Sequence, residues 1–384
     1  MTVTVPAGFA ASGVHCGIRR SRPDLAVVRS LACATGAAMF TANRAAAAPV
    51  KVSREHLELA EPQAVVINSG TANAGTGVRG ELAARATAAE AGRLLGLAAE
   101  EVLVLSTGVI GEPLPLDKVL PGLEKAVGAL SPDGGPAAAE AILTTDTRTK
   151  QAVAEGPGFT VAGMAKGSGM IHPNLATMLA VVTTDYPLEP AAAWEFLRPA
   201  VGESFNSISV DGECSTNDAV VLLANGASGA ARDDDTFAAA LAEVCRELAR
   251  QIVEDGEGAT VVAEIAVTGA ASEPEARAIA RRIATSPLVK TALFGRDANW
   301  GRVLAAAGSA PYNGGYAHLD PDRVSLRYNG APVLVRGTPQ GLEPELDGPT
   351  CRIDLDLGLG DAQASYLTSD LSYDYVRINA DYRT

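Results

Sequence analysis

The sequence predicts a mixed α/β (α+β) protein with a smaller α/β domain at its C-terminal end. Short β-branched or apolar runs alternate with Ala-rich stretches of helical period, as where AVVI at 64–67 passes through a Gly/Asn/Thr loop into ELAARATAAEAGRLLG. Aromatic residues make up only 4% of the chain and glycines number 39, so the core must rest on Ala, Val, Leu and Ile, joined by many tight turns. After about residue 265 the pattern restarts with a helix, an RDANWGR loop, another Ala-rich helix and short strands. A length of 384 residues at about 150 per domain fits two to three domains, here a core over 1–265 and a smaller domain over 266–384.

Taken in order, apolar runs of strand length predict strands at 64–67, 102–105, 159–165, 176–184, 207–210, 219–223 and 259–268. Recurrence of Ala and Leu every three or four residues predicts helices through ELAARATAAEAGRLLG and at 117–128, 136–143, 189–204, 234–254 and 273–285. SPDGGP at 131–136 is a Pro/Gly surface loop between two of them. RVSLRYNG, APVLVRG and CRIDLDLG are the short strands of the C-terminal region.

Charge and composition remove several function classes. The 31 Lys plus Arg against 45 Asp plus Glu leave a formal charge of −14, which argues against a nucleic-acid partner, since phosphate neutralisation needs a basic face. The five cysteines are scattered, with no CxxC pair and no Cys/His spacing suited to zinc, so no metal site is expected and a reducing, cytoplasmic setting is. No uncharged apolar run approaches the roughly 18 residues that span a bilayer, and the charges near the amino terminus follow the mildly apolar stretch rather than precede it. Only four histidines are present, at 15, 56, 172 and 318, which leaves little room for an imidazole general base.

Four loops are richer in Gly, Thr, Asn and Lys than connection alone requires: NSGTANAGTG at 68–77, STGVIG at 106–111, TTDTRTK at 144–150 and KGSGMIHPNLATML at 166–179. None has the GxxxxGK[ST] order of a phosphate loop. Thr177, directly after Ala176 at the head of an apolar run, has two readings. One is a β-branched strand residue. The other is an N-terminal nucleophile exposed when the chain cuts itself between Ala176 and Thr177, its new α-amine serving as the base for Oγ1. The second mechanism needs no histidine.

KGSGMIHPNLATMLAVVTTD resembles the cleavage-site signature of the ornithine acetyltransferase family, glutamate N-acetyltransferases of arginine biosynthesis that process themselves before a threonine. The similarity runs in order through PAGFAASGVHCGIRR, MFTANRAAAAPVKVSR, VINSGTANAGTG, LSTGVIGEPLP, ILTTDTRTK, SFNSISVDGECSTNDAVVLLANG, DGEGAT and SPLVKTALFGRDANWGR to YVRINADYRT. It therefore covers essentially the whole chain. The resemblance implies a layered α/β/β/α sandwich, cleavage into chains 1–176 and 177–384 that stay together as an α2β2 or larger assembly, and no cofactor. It implies acetyl transfer from N2-acetylornithine to glutamate through an acetyl-threonine ester, with acetyl-CoA as a further donor in some members. A self-cleaving aminopeptidase or amidase of the same fold is the alternative.

Residue by residue, the resemblance makes Thr177 the nucleophile and gives Thr107 and Gly108 of STG the oxyanion donors, a hydroxyl and a backbone N–H. Thr144, Lys166, Glu257, Asn379 and Thr384 match substrate-binding positions. An N-acetylated diamino acid carries a carboxylate and a second amine, so its site wants one cation and one anion. Lys166 is expected to pair the substrate carboxylate, or alternatively to lower the pKa of the Thr177 amine. Glu257, between two glycines, suits the substrate ammonium. Thr144 and Thr145 both remain candidates to face the ligand, since neighbours in an extended segment point opposite ways. The family's usual Asn is Thr71 here, a loop change remote from any of these roles.

Overall fold

The computed structural model describes residues 2–172 and 178–381. The described residues divide into two compact units, the first made of 2–172, 178–206 and 213–252, the second of 207–212 and 253–381. Among the described residues up to 224, the strands are β1 (Phe9–Val14), β2 (Leu25–Ser30), β3 (Thr35–Phe40), β4 (Ala64–Thr71), β5 (Val102–Val109), β6 (Lys150–Gly156), β7 (Phe159–Lys166), β8 (Leu179–Thr184), β9 (Ile208–Ser209) and β10 (Ala219–Ala224). The helices among them are α1 (Ala48–Leu59), α2 (Gly77–Leu95), α3 (Leu116–Gly128), α4 (Gly135–Ala141), α5 (Ala193–Gly202) and α6 (Asp234–Glu254).

The first unit is an α/β/β/α sandwich. Its sheets run β1-β2-β4-β5 and β3-β10-β8-β7-β6. Strand alternation builds the layers: Ala26, Val28, Val65, Ile67, Leu103 and Leu105 point inward and pack with Leu179, Val181, Val221 and Leu223 of the facing sheet. Their neighbours Leu25, Val27, Ala64, Val66, Val102 and Val104 point outward, beneath Ala84, Ala88 and Ala91 of α2 and Val119 and Leu123 of α3. Strands buried on both faces read as continuous apolar runs, which is why VLVL and AVVI stand out in the sequence. On the other outer face, α5 and α6 close the second sheet through an aromatic cluster in which Phe237 stacks on Tyr186 and meets Phe159 and Phe196 edge-on.

The second unit carries β11 (Val262–Ala270), β12 (Pro311–Tyr312), β13 (Gly315–Tyr316), β14 (Ser325–Tyr328), β15 (Ala331–Val335), β16 (Thr338–Pro339), β17 (Thr350–Asp356) and β18 (Ala362–Ser369). Its main sheet has the order β16-β15-β14-β17-β11-β18-β9. The helices α7 (Glu273–Ala284), α8 (Pro287–Phe294) and α9 (Trp300–Gly308) share its core, while α10 (Tyr373–Asp381) has no buried residue.

Several elements differ from the expected pattern. β1 to β3, α1, β6, β18, α8 and α10 had no clear sequence signal. The strand expected over 176–184 begins at Leu179, and the helix expected over 189–204 is α5, 193–202. Ala176 and Thr177 lie outside the described residues. The helix expected at 234–254 is α6 with the same limits.

Candidate active site

Two strand ends of the first unit bring the expected oxyanion and lysine positions together. Thr107 and Gly108 lie near the end of β5, and Lys166 is the last residue of β7 in the facing sheet. Lys166 Nζ donates to Thr107 Oγ1 across 3.3 Å, and both side chains are buried. An ammonium only donates, so the Thr107 oxygen accepts and its own proton is left to point elsewhere. Gly108 has φ +134° and packs so closely on β4 that a Cβ there would come within 2.3 Å of the Gly70 carbonyl carbon. Only glycine fits that approach.

Thr144 and Thr145 are both engaged within the protein. The Thr144 amide and hydroxyl donate to Asp146 Oδ2 at 3.0 and 3.4 Å, and Thr145 Oγ1 shares a 2.7 Å hydrogen bond with Ser168 Oγ. Asp146 Oδ1 receives Lys150 Nζ and the Gly167 amide, each at 2.6 Å. One buried carboxylate therefore ties the 144–146 loop to the turn that follows Lys166. Burial opposes its charge, but Lys166 and Lys150 outweigh burial and hold the carboxyl well below the usual carboxylate range.

The loop before β10 meets the same strand ends. Asn217 Nδ2 donates to the Ala72 and Ser106 carbonyls at 2.7 and 2.8 Å, fixing this loop beside Thr107. Asp218 is fully buried, and its Oδ1 accepts the Met178 amide at 3.1 Å. Burial pushes its carboxyl well above the usual range, against the opposing pull of the Met178 amide and Lys166.

In the second unit, Asn379 Nδ2 donates to Glu257 Oε2 at 2.8 Å and to the Tyr375 carbonyl at 3.1 Å. Two substrate-binding expectations are thus hydrogen-bonded to each other. Gly258, φ +68°, packs against the first turn of α10: a Cβ there would lie 2.5 Å from the Tyr375 amide nitrogen, and Ser372 Oγ donates to the Gly258 carbonyl at 2.6 Å. Thr384, like Ala176 and Thr177, is outside the described residues.

Sequence reasoning passed over Asp146, Lys150, Asn217 and Asp218. An Asp and a Lys four apart in TTDTRTK, and an acid abutting the apolar run AVVLLA, were the available signals. His56 is buried with Nδ1 at 2.8 Å from the Val102 carbonyl, and His15 Nδ1 meets the Arg22 carbonyl at 2.9 Å, both structural contacts. Among the described residues no group of three or more His, Cys, Asp or Glu could hold a metal ion, and no helix is long and apolar enough to cross a membrane.

Fold and site define a two-sheet α/β/β/α protein that buries a lysine, hydroxyl and carboxyl cluster at the facing ends of its sheets. The model of the ArgJ family matches residues 10–384, and the chain belongs to that family. It is 47% identical to the arginine biosynthesis bifunctional protein ArgJ of Symbiobacterium thermophilum over all of this chain and 98% of that protein. It is also 47% identical to the protein of that name from Mycolicibacterium paratuberculosis, over 99% of this chain and 96% of that one. Among solved structures, an ornithine acetyltransferase from Mycobacterium tuberculosis complexed with ornithine is similar at 42% identity and a TM-score of 0.43, covering 45% of this chain and 94% of that one. The family expected from the sequence motifs is the one found.

Proposed function

We propose that this protein is a glutamate N-acetyltransferase that cuts itself between Ala176 and Thr177 and works through the freed threonine. The observation that carries the proposal is the 3.3 Å hydrogen bond from Lys166 to Thr107, which leaves the Thr107 proton available to a developing oxyanion. Thr177 Oγ1 attacks the acetyl carbonyl of N2-acetylornithine while its α-amine takes the hydroxyl proton. The Thr107 hydroxyl and Gly108 N–H hold the oxyanion. The C–N bond then breaks as the amine returns that proton to the ornithine nitrogen, leaving an acetyl ester on Thr177. Glutamate's amine attacks the ester, its proton passes through the Thr177 amine to Oγ1, and N-acetylglutamate leaves.

Lys166 supplies the positive charge for a substrate carboxylate, and the Glu257 carboxylate, oriented by Asn379, suits the ornithine ammonium. Thr144 and Thr384 complete the proposed substrate contacts, and the cleaved chains remain one assembly, α2β2 or larger, in the cytoplasm. The curated relatives are named bifunctional, so acetyl-CoA is proposed as a second acetyl donor to glutamate.

Intact-mass measurement of purified protein tests the proposal alongside acetyl transfer assays with acetylornithine or acetyl-CoA as donor and glutamate as acceptor. Two chains of 176 and 208 residues, and loss of both cleavage and transfer in Thr177→Ala, are expected. Active protein running as one uncut chain overturns it. Hydrolysis of acetylornithine without transfer to glutamate points instead to an amidase.

A further inference from the structure

Asp218 is a buried acid that the transfer cycle does not use. Its Oδ1 is occupied by the Met178 amide at 3.1 Å, and Met178 is the residue joined to Thr177. Its Oδ2 is sealed from solvent and makes no close hydrogen bond among the described residues, the Ser215 and Thr41 hydroxyls exerting only a minor pull on the carboxyl's proton beside that of burial. Backbone pairing holds the carboxyl in place: the Ala219 amide donates to the Met178 carbonyl at 3.1 Å, and β8 and β10 run parallel with Leu179 beside Ala219. Leaving a carboxyl oxygen buried and unpaired is costly, more so when it is charged, so a neutral acid with one oxygen in reserve is the form this setting favours. The raised affinity of Asp218 for its proton agrees.

We propose that Asp218 is a proton-carrying positioning residue for self-cleavage, anchoring Met178 with one oxygen and supplying the proton that frees the Thr177 nitrogen with the other. The inference rests on the reading of Thr177 as the cleavage point. In the step it serves, Thr177 Oγ1 bonds to the Ala176 carbonyl carbon and the Ala176–Thr177 C–N bond breaks. The nitrogen takes the Asp218 proton and becomes the free amine, and the proton released by Oγ1 restores the acid. Water then cleaves the resulting ester, leaving Ala176 as a carboxylate and returning the Thr177 hydroxyl.

The test follows cleavage over time in a cell-free translation of the full chain, by denaturing electrophoresis, for wild type, Thr177→Ala, Asp218→Asn and Asp218→Glu. Asp218→Asn keeps the size and the acceptor for Met178 but has no acidic proton. Cleavage is expected to slow by about 10²-fold or more in it and to return in Asp218→Glu. Thermal melts of the purified chains report folding, and if the Asn variant does not fold, Asp218→Ser replaces it under the same expectation. Wild-type cleavage rates in the folded Asn or Ser variant overturn the proposal, and so does failure of a folded Asp218→Glu chain to cleave, which would assign Asp218 to packing alone. A wild-type chain that stays whole sinks the reading of Thr177 itself, a result distinct from either.

Discussion

Lys150 Nζ lies 2.6 Å from Asp146 Oδ1, and neither side chain has any exposure to solvent. Such a pair is costly to desolvate and is held by what surrounds it: the Thr144 and Gly167 amides complete the carboxylate's hydrogen bonds. The pair therefore works as a hinge pin between the 144–146 loop and the turn after Lys166, four residues along the chain on one side and across the sheet on the other.

Lys150→Met leaves Asp146 buried with one neutralising partner gone. It is expected to destabilise the protein by about 3–5 kcal/mol in urea unfolding, the range for breaking a buried pair. The double variant Asp146→Asn with Lys150→Met recovers part of that loss. A cost below about 1 kcal/mol for the single change contradicts this account.

The same carboxylate shapes the acid limb of stability. Its folded-state pKa is depressed below the unfolded value of about 3.9, so its contribution is complete above that value and is lost as pH falls below it toward the folded pKa. Urea midpoints at about pH 5 and pH 3 should fall more steeply in wild type than in Asp146→Asn. Parallel slopes refute the assignment.

At the alkaline end Lys290 acts with the same sign. This buried lysine donates to Thr368 Oγ1 and the Ser369 carbonyl, and burial pulls its pKa from 10.5 to about 8, against Asp211 and Asp370. Between those values the unfolded chain holds a proton that the folded chain lacks, so the lysine's contribution to stability rises with pH. Buried cysteines and tyrosines act oppositely, burial raising Cys245 to about 12, so the measurable quantity is a difference. The melting-temperature gap between wild type and Lys290→Met should move in favour of wild type from pH 8 to pH 10.

Removing the hydroxyl proton at the end of β5 should act on catalysis rather than on binding. Thr107→Val is expected to lower kcat by about 10²–10³ with little change in KM, and Thr107→Ser to retain most activity. Steady-state kinetics with acetylornithine and glutamate decide it, and an unchanged kcat in the valine variant removes Thr107 from the oxyanion site.

Glu257 should discriminate between the two substrates, because ornithine carries a side-chain ammonium and glutamate does not. Glu257→Gln is expected to raise KM for acetylornithine about tenfold, the value of one charge-assisted hydrogen bond, and to leave KM for glutamate unchanged. Equal effects on both would place Glu257 in a purely structural role beside Asn379.

Much of the fold was legible where composition and period agree. Asp233 to Asp235 lead into α6, whose apolar positions recur at helical spacing, and its limits follow from that pattern. AVVI and VLVL announce strands buried on both faces. β1, FAASGV, has too few β-branched residues to declare itself and is a strand because it pairs along its length with β2. α10 buries nothing, so it leaves no apolar stripe to read.

The sequence by itself determined the family, through an ordered set of motifs spanning the chain, and with them the residue types at Thr107, Gly108, Lys166 and Thr177. Tertiary structure alone decided which charges are buried and what they touch. A charged residue in a sequence reads as solvated, yet Asp146 is buried and loses its proton readily because Lys166 and Lys150 lie beside it, and Asp218 keeps its proton because burial outweighs the opposing pull of the Met178 amide and Lys166. Burial and neighbouring charge set a proton's hold, and both are properties of the packed sheets rather than of the residues taken in order.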